Sequence, residues 1–302
     1  MNIEQQYLNI LATLIGETAI RQSNRTGVDT FKIPPRMIQH DMSDGSFPLL
    51  TTKKVAFKTM SVELEGFIKG ITSKKWYKDR GCNIWNEWCN PQKVPYPAAD
   101  MDPKARALVL AAMAEEDDLG PAVYGAAWRN FHDPRITDNS HYVAETVGYD
   151  QLKSIVCMLK ANPEDRRMIC TAWNPLGLSH TALPACHYSW QVMKRGEYLD
   201  LVWTQRSVDS FLGLPFNIAS YGLLLLLLAR EAGLKPGVLS GSLADLHLYE
   251  NHREQALEQL QRIPLPLPRV ELGGDNIFDW TFEDTKLIGY YPRRPIKAPV
   301  AV

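Results

Sequence analysis

Apolar side chains recur at Ile3, Tyr7, Ile10, Leu11, Leu14 and Ile15, the spacing of one helical face, and predict an amphipathic first helix. RTGVDTFKI then sets a turn at Thr26–Gly27 before a short strand. FPLLTTKKVAFK leads into a helix around Ser61–Gly70, SVELEGFIKG. Glu63 and Glu65 on that helix point to different faces, so at most one is expected to face a cleft while the other meets solvent. Trp76, Trp85 and Trp88 crowd WYKDRGCNIWNEWCN. Residues 90–121 are weakly patterned, with a proline-rich start, a small helix at PKARALVLAAMAEE and an acidic EEDDLGP, and are expected to form a peripheral insertion. VYGAAWRNF resumes an aromatic segment, and GYDQLKSIVCMLKANP reads as an amphipathic helix stopped by Asn162–Pro163.

The C-terminal half carries the strand signals. RRMICTAW, CHYSWQVMK and YLDLVWTQ are strand-like, the last two joined at Arg195–Gly196. IASYGLLLLLLAREAG is apolar on almost every face, which predicts a buried helix. VLSGSLADLHLY is a further strand, ENHREQALEQLQR a surface helix, and IPLPLPRVEL is extended because its prolines forbid a helix. No internal repeat is visible. Strands and helices mix without βαβ regularity, and the fold class is read as α+β, a large mixed β-sheet packed on helices around a central buried helix.

With 302 residues, 45% apolar and 22% charged, the chain has the composition of a soluble globular protein. A net charge of −1 gives no bulk attraction to nucleic acid or to a membrane surface, and neither partner is expected. The apolar run at Leu223–Leu228 is too short to cross a bilayer. MNIEQQYLNI lacks the basic start and apolar core of a signal peptide. Cys82, Cys89, Cys157, Cys170 and Cys186 are odd in number and form no C-x-x-C pair, so neither a disulfide framework nor a metal site is indicated. A reducing cytoplasm fits that usage.

Candidate chemistry gathers at QRSVDSFLGLPFN, directly before the apolar helix. A helix N-terminus exposes unpaired N–H groups. Arg206 and Ser207 suit a phosphate, since arginine can bind its oxygens through two parallel hydrogen bonds. Asn217 offers a donor and an acceptor to the edge of a base-like ring. The residues alone leave open whether this is a ligand site or only the polar entry of a buried helix. Cys186 in LPACHYSW starts a strand, and the adjacent His187 points to the opposite face and is not expected to be its base. A thiol flanked by Arg166, Arg167 and Arg206 would be activated as a nucleophile. A lone cysteine is also a common buried hydrophobe, and both readings stand. The tryptophans are either core packing or an aromatic wall for a flat ligand.

TALPACH around Cys186, RRMICTAWNP, QRSVDSFLGLPFNIASY, DLHLYENH and the tail PIKAPVAV together resemble the thymidylate synthase family. RTG at Arg25, TTKKVAFK and DLGPAVYG agree in order and spacing, and the region around 90–117 matches least. The resemblance implies a single domain over 1–302, a homodimer formed through its sheet, dUMP as substrate and 5,10-methylenetetrahydrofolate as co-substrate, with no metal. It implies Cys186 as the nucleophile that adds to C6 of uracil. Arg25, Arg206 and Ser207 would hold the phosphate, with Arg166 and Arg167 reaching it from the other subunit. Asn217 would read the uracil edge, and His247 and Tyr249 the sugar 3′-hydroxyl. Asp209 would bind the pterin, Glu63 would order water and assist proton transfer, and Tyr124 would help remove the C5 proton. Trp85 would line the folate cleft, and Ala301–Val302 would close over it.

Some positions depart from the family pattern: Glu65–Gly66, Asn86, one extra residue in LGPAVYG, Ala127, Thr204 and Ala244. They bear on an alternative within the family, dUMP hydroxymethylase, in which water takes the place of hydride. A small residue at Gly66 is expected to widen the site and favour that outcome. Trp85 and the full KAPVAV tail favour a closed, dry site and the synthase, and Asn217 disfavours the dCMP enzymes. A non-catalytic nucleotide- or RNA-binding relative is the remaining alternative, against which Cys186, the arginines and Asn217 stand together.

Overall fold

A computed structural model describes residues 2–24, 26–86, 119, 123–132, 148–180 and 183–300, with 103, 104 and 107. The first helix, α1 (Ile3–Ile15), is capped by the Asn2 side chain on the Gln5 N–H and buries Ile3, Tyr7, Leu8, Ile10, Leu11 and Leu14. Glu4 is buried as well. Its carboxylate accepts from the Thr51 N–H at 2.8 Å, the Thr51 hydroxyl at 2.7 Å and the Thr52 N–H at 2.6 Å. A buried carboxylate is tolerated when its lone pairs are used in this way. Through it α1 fixes the turn that carries Lys53 and Lys54.

Three short strands follow, β1 (Ile20–Gln22), β2 (Thr30–Ile33) and β3 (Arg36–Asp41). Next come the helices α2 (Phe57–Lys69), α3 (Lys74–Asp79), α4 (Tyr124–Arg129) and α5 (Gln151–Ala161). The C-terminal half holds β4 (Ile169–Thr171), β5 (His187–Arg195), β6 (Tyr198–Asp209), α6 (Gly213–Ala232), β7 (Lys235–Tyr249) and α7 (Arg253–Leu260). A separate hairpin pairs β8 (Arg269–Leu272) with β9 (Thr285–Ile288).

The main sheet has seven strands in the order β1-β2-β7-β6-β5-β4, with β3 also on β7. β7 is long enough for β3 to pair its first half and β2 its second. β5 and β6 form an antiparallel hairpin turning at Gly196, whose φ of +63° suits glycine. β6 and β7 run parallel, and α6 makes the crossover between them, so the sheet contains one βαβ unit that the sequence pattern did not suggest. β3 also escaped that pattern, because only Ile38 and His40 of RMIQHD are buried.

α6 is long and apolar enough to span a bilayer by composition, but most of that length is buried within the protein. It ends where Gly233 turns into the left-handed region. The residues expected to form the 90–121 insertion lie almost wholly outside the described ones, as do Trp88 and Cys89 just before them. Of the other cysteines, Cys82 and Cys170 are buried and Cys157 is exposed.

Two expectations on α2 are corrected. Glu65 does not meet solvent. It is buried, pairs with Lys69 at 2.6 Å and accepts the Phe282 N–H at 3.0 Å. The helix is covered on nearly all sides from Met60 to Ile68, so no polar face remains. Gly66 does not widen the interior either. A Cβ there would sit 2.2 Å from Cε1 of Tyr77, whose ring fills the space and whose hydroxyl donates to the Ile71 carbonyl at 3.2 Å. The aromatic bulk lost at Gly66 is supplied from α3.

Candidate active site

Cys186 lies half-buried, immediately before β5. Its N–H donates to the Tyr124 hydroxyl at 2.7 Å, and its carbonyl accepts the Arg206 N–H of β6 at 2.8 Å. The Arg206 guanidinium donates to the carbonyls of Ala185 at 2.9 Å and Pro184 at 2.8 Å. It also lies 5.2 Å from the Trp173 ring centroid. So held, its Nη2 sits 3.9 Å from Sγ of Cys186.

His187 turns away from the thiol, as strand alternation requires. Its Nδ1 meets the Tyr221 hydroxyl at 2.9 Å and its ring stacks on Tyr124 at 4.0 Å. Burial pulls its imidazole down to about 3, so it is neutral across the physiological range. Burial, followed by the neighbouring Cys186 charge, pushes the Tyr124 phenol well above its ordinary value. Because Tyr124 accepts from the Cys186 N–H, its own O–H remains available as a donor.

Glu63 is buried on α2, and burial pushes its carboxyl up to about 7, with the facing Trp85 indole pulling the other way. Trp85 Nε1 itself is a buried donor with no completed hydrogen bond. The Trp85 ring packs edge-on to Tyr124 at 6.0 Å, and Phe67 lies 4.9 Å from Tyr124. An aromatic shell therefore surrounds the carboxyl and the phenol and keeps the local dielectric low.

The loop into α6 is held from within. Asp209 Oδ1 accepts the N–H groups of Phe211 and Leu212, both at 3.0 Å. Gln205 Nε2 donates to Asn217 Oδ1 at 3.0 Å and to the Ser207 carbonyl at 3.0 Å, while Trp203 donates to Gln205 Oε1 at 3.3 Å. That chain fixes which way the Asn217 amide points. On the paired strand β7, His247 Nδ1 lies 2.9 Å from the Asp245 carbonyl. A carbonyl only accepts, so Nδ1 carries the proton and the Nε2 lone pair is left to accept from a hydroxyl. Tyr249 stands edge-on to His247 at 5.3 Å, and Asp209 lies opposite His247 in register.

The fold thus brings together Cys186, Arg206 and Tyr124, and aligns Ser207, Asp209 and Asn217 with His247 and Tyr249 along two parallel strands and the helix entry. Arg166 and Arg167 are exposed on the segment before β4, with Arg167 paired to Asp165 at 2.5 Å. That pairing holds the Asp165 carboxyl at about 2. Arg25, Ala301 and Val302 lie outside the described residues.

Two residues that the sequence gave no reason to single out belong to the site. Gln205 orients Asn217, and its signal was its place on β6 one residue before Arg206. Lys53 is buried, with Nζ 3.5 Å from the Phe211 ring centroid and donating to the Phe211 carbonyl. Burial pulls its amine down to about 7. Nothing in TTKK separates Lys53 from Lys54. Among the described residues no cluster of three or more His, Cys, Asp or Glu side chains is placed to hold a metal ion.

The thymidylate synthase family model matches residues 5–302. The chain is 41% identical over 310 aligned positions to thymidylate synthase of Mycoplasma genitalium, an alignment covering 99% of this chain and 100% of that protein.

Proposed function

The chain belongs to the thymidylate synthase family, and on that premise we propose that it converts dUMP to dTMP as a one-carbon methyltransferase. The observation that carries this reading is the single contact group of the Cys186 thiol, the Arg206 guanidinium and the Tyr124 phenol.

In this reading Arg206 does two jobs. Its positive charge favours a sulfur anion on Cys186, and its remaining N–H groups, with Ser207 and Arg25, bind the nucleotide phosphate. Cys186 then adds to C6 of uracil. The addition shifts electron density to C5 and splits one difficult substitution into easier steps. Asn217, oriented by Gln205, presents its amide to the uracil N3–H and O4. His247 accepts from the sugar 3′-hydroxyl through Nε2, and Tyr249 flanks it. Glu63, near half-protonated at neutral pH, orders water at O4 and relays a proton. The Tyr124 hydroxyl, whose O–H is free to donate, holds the water that takes the C5 proton. Expulsion of the Cys186 sulfur restores the ring double bond.

5,10-Methylenetetrahydrofolate supplies both the one-carbon unit and the hydride when it is bound. The residues present fit it. Trp85 offers an aromatic wall beside Glu63, and Asp209, which spends Oδ1 on the loop, has Oδ2 for a pterin donor. Ala301 and Val302 close over the cleft and exclude water.

We read the chain as one domain over 1–302 with a peripheral insertion at about 90–121, and the protein as a cytoplasmic homodimer associating through its sheet. Supporting this, Arg166 and Arg167 are exposed beside a sheet edge on which Ile169 is half exposed. Across a two-fold axis such arginines serve the partner's phosphate site. The ground that Gly66 gave for the hydroxymethylase alternative falls away, because Tyr77 fills the space there.

Mixing protein, dUMP and methylenetetrahydrofolate tests the reading. Rising absorbance in the dihydrofolate band, with dTMP formed, is expected. Hydroxymethyl-dUMP without that rise would assign the sister activity, and no product at all would leave a binding protein.

A further inference from the structure

Tyr77 is fully buried on α3, and no step above uses it. Its ring lies where a side chain on residue 66 would stand, since a Cβ on Gly66 would meet Tyr77 Cε1 at 2.2 Å. Glu63, Gly66 and Phe67 share one face of α2, at helical spacings of three and four residues. The ring is therefore seated one helical turn along α2 from the Glu63 carboxyl.

Trp85 meets the same group from the loop after α3. Among the described residues, the rings of Phe67, Tyr77 and Tyr124 stand against its indole at 6.2, 6.4 and 6.0 Å. The indole faces the Glu63 carboxyl. Phe67 comes from α2 and Tyr124 from α4, so Tyr77 is the ring that α3 supplies. It is tied at both ends. Its hydroxyl donates to the Ile71 carbonyl at 3.2 Å, and its carbonyl accepts the Cys82 N–H at 2.9 Å, three residues before Trp85. From this side the titratable groups set against Glu63 are the Tyr77 phenol and the Cys82 thiol. Burial pushes the phenol well above its ordinary value and the thiol up to about 12, so both stay neutral.

We propose that Tyr77 is a positioning residue: seated on Gly66, its ring clamps the Trp85 indole against the Glu63 carboxyl and keeps water out of the gap between α2 and α3. The proposal rests on the functional reading for what Glu63 and Trp85 do in turnover, but the clamp itself is a property of the protein without ligands. The ring does this by its bulk, since the hydroxyl is spent on Ile71.

Tyr77→Leu shortens the side chain and leaves a void beside the indole. Tyr77→Phe keeps the ring and gives up only the bond to Ile71. In the ligand-free wild type, the Trp85 indole N–H resonance, assigned with Trp85→Phe, should move with pH at a midpoint of about 7 as Glu63 titrates. The movement should vanish in Glu63→Gln. In Tyr77→Leu the midpoint should fall by about one pH unit or more, because water in the void relieves the burial of the carboxyl. Tyr77→Phe should hold the wild-type midpoint. In turnover, Tyr77→Leu should lower kcat about ten- to a hundredfold and leave the Kd for dUMP within about twofold, and Tyr77→Phe should recover most of that loss. A role in stability alone would lower the melting temperature and leave the midpoint where it was. That result would overturn the clamp, as would an equal fall in the Leu and Phe variants or a wild-type resonance indifferent to Glu63. Should Tyr77→Leu not fold, Gly66→Ala, which drives a methyl into the same ring, decides by the same midpoint. A wild type that fails to turn over would sink the functional reading and leave the ligand-free titration to judge the clamp.

Discussion

Cys186 and Glu63 show how much a fold adds to a side chain. Read from its neighbours alone, Cys186 was more readily a buried hydrophobe than a nucleophile. The fold leaves the thiol half-buried, 3.9 Å from a guanidinium held by two carbonyls, which is the geometry the proposed nucleophile needs. Cys186→Ser is expected to cost at least about a thousandfold in kcat while the protein still binds dUMP. Turnover retained in that variant would refute covalent catalysis. Glu63 has a folded-state value of about 7 against an ordinary 4.5. Its protonated form is therefore the one the fold prefers. The stability tied to it is complete below pH 4.5 and is lost as pH rises through about 7, a difference of about 3 kcal/mol at 1.36 kcal/mol per pH unit. Glu63→Gln, which stays neutral, should melt higher than the wild type at pH 8 and equally at pH 4. It should also lose about a hundredfold or more in kcat. Equal melting temperatures at both pH values would show that the carboxyl is not buried as described. Asn217→Asp reverses one side of the amide's pattern and should shift preference towards dCMP. Unchanged pyrimidine selectivity, measured as the ratio of kcat/KM for dCMP and dUMP, would count against its assigned role.

Among the elements, the ones with strong period were legible from the chain alone. α1, α5 and α6 follow their apolar spacing, β4, β5 and β6 fall on the three strand-like runs, and β7 falls on the further strand candidate. β3 was not legible, because a strand that buries only two of its six residues has too little hydrophobic contrast. The partnership of α2 with α3 was not legible either. Gly66 read as a missing side chain, and only the packing shows Tyr77 lying in its place. Two residues eleven positions apart on different helices carry no periodic signature of contact. Gly66→Ala would bring a methyl into that ring and should destabilise the protein by about 1–3 kcal/mol. Tyr77→Ala in the same chain should recover part of the loss, since the clash disappears while a cavity remains. Additive losses in the double variant, read from denaturant melts, would show that the two positions do not meet.

For the whole molecule, the question is what one chain leaves unfinished. Arg206 alone reaches Cys186 among the arginines that flank it in sequence, and Arg166 and Arg167 stay in solvent. If a two-fold partner completes the phosphate site, complementation should reveal it. Cys186→Ser protein and Arg166→Ala/Arg167→Ala protein should each be inactive alone. Mixed in equal amounts and allowed to exchange subunits, they should regain about a quarter of wild-type activity, because half the dimers are mixed and each carries one intact site. No recovery after verified exchange would place both arginines in the same subunit's site or outside any site.

The sequence by itself determined the family, the residue types of the site and the elements with strong hydrophobic period. These follow from local spacing and from motifs whose order is written along the chain. The tertiary structure decided what depends on approach between distant segments. It set which arginine meets the thiol, turned Glu65 inward to Phe282, filled Gly66 with Tyr77 and buried Lys53. Dielectric and contact are properties of a packed interior, and no single stretch of chain contains them.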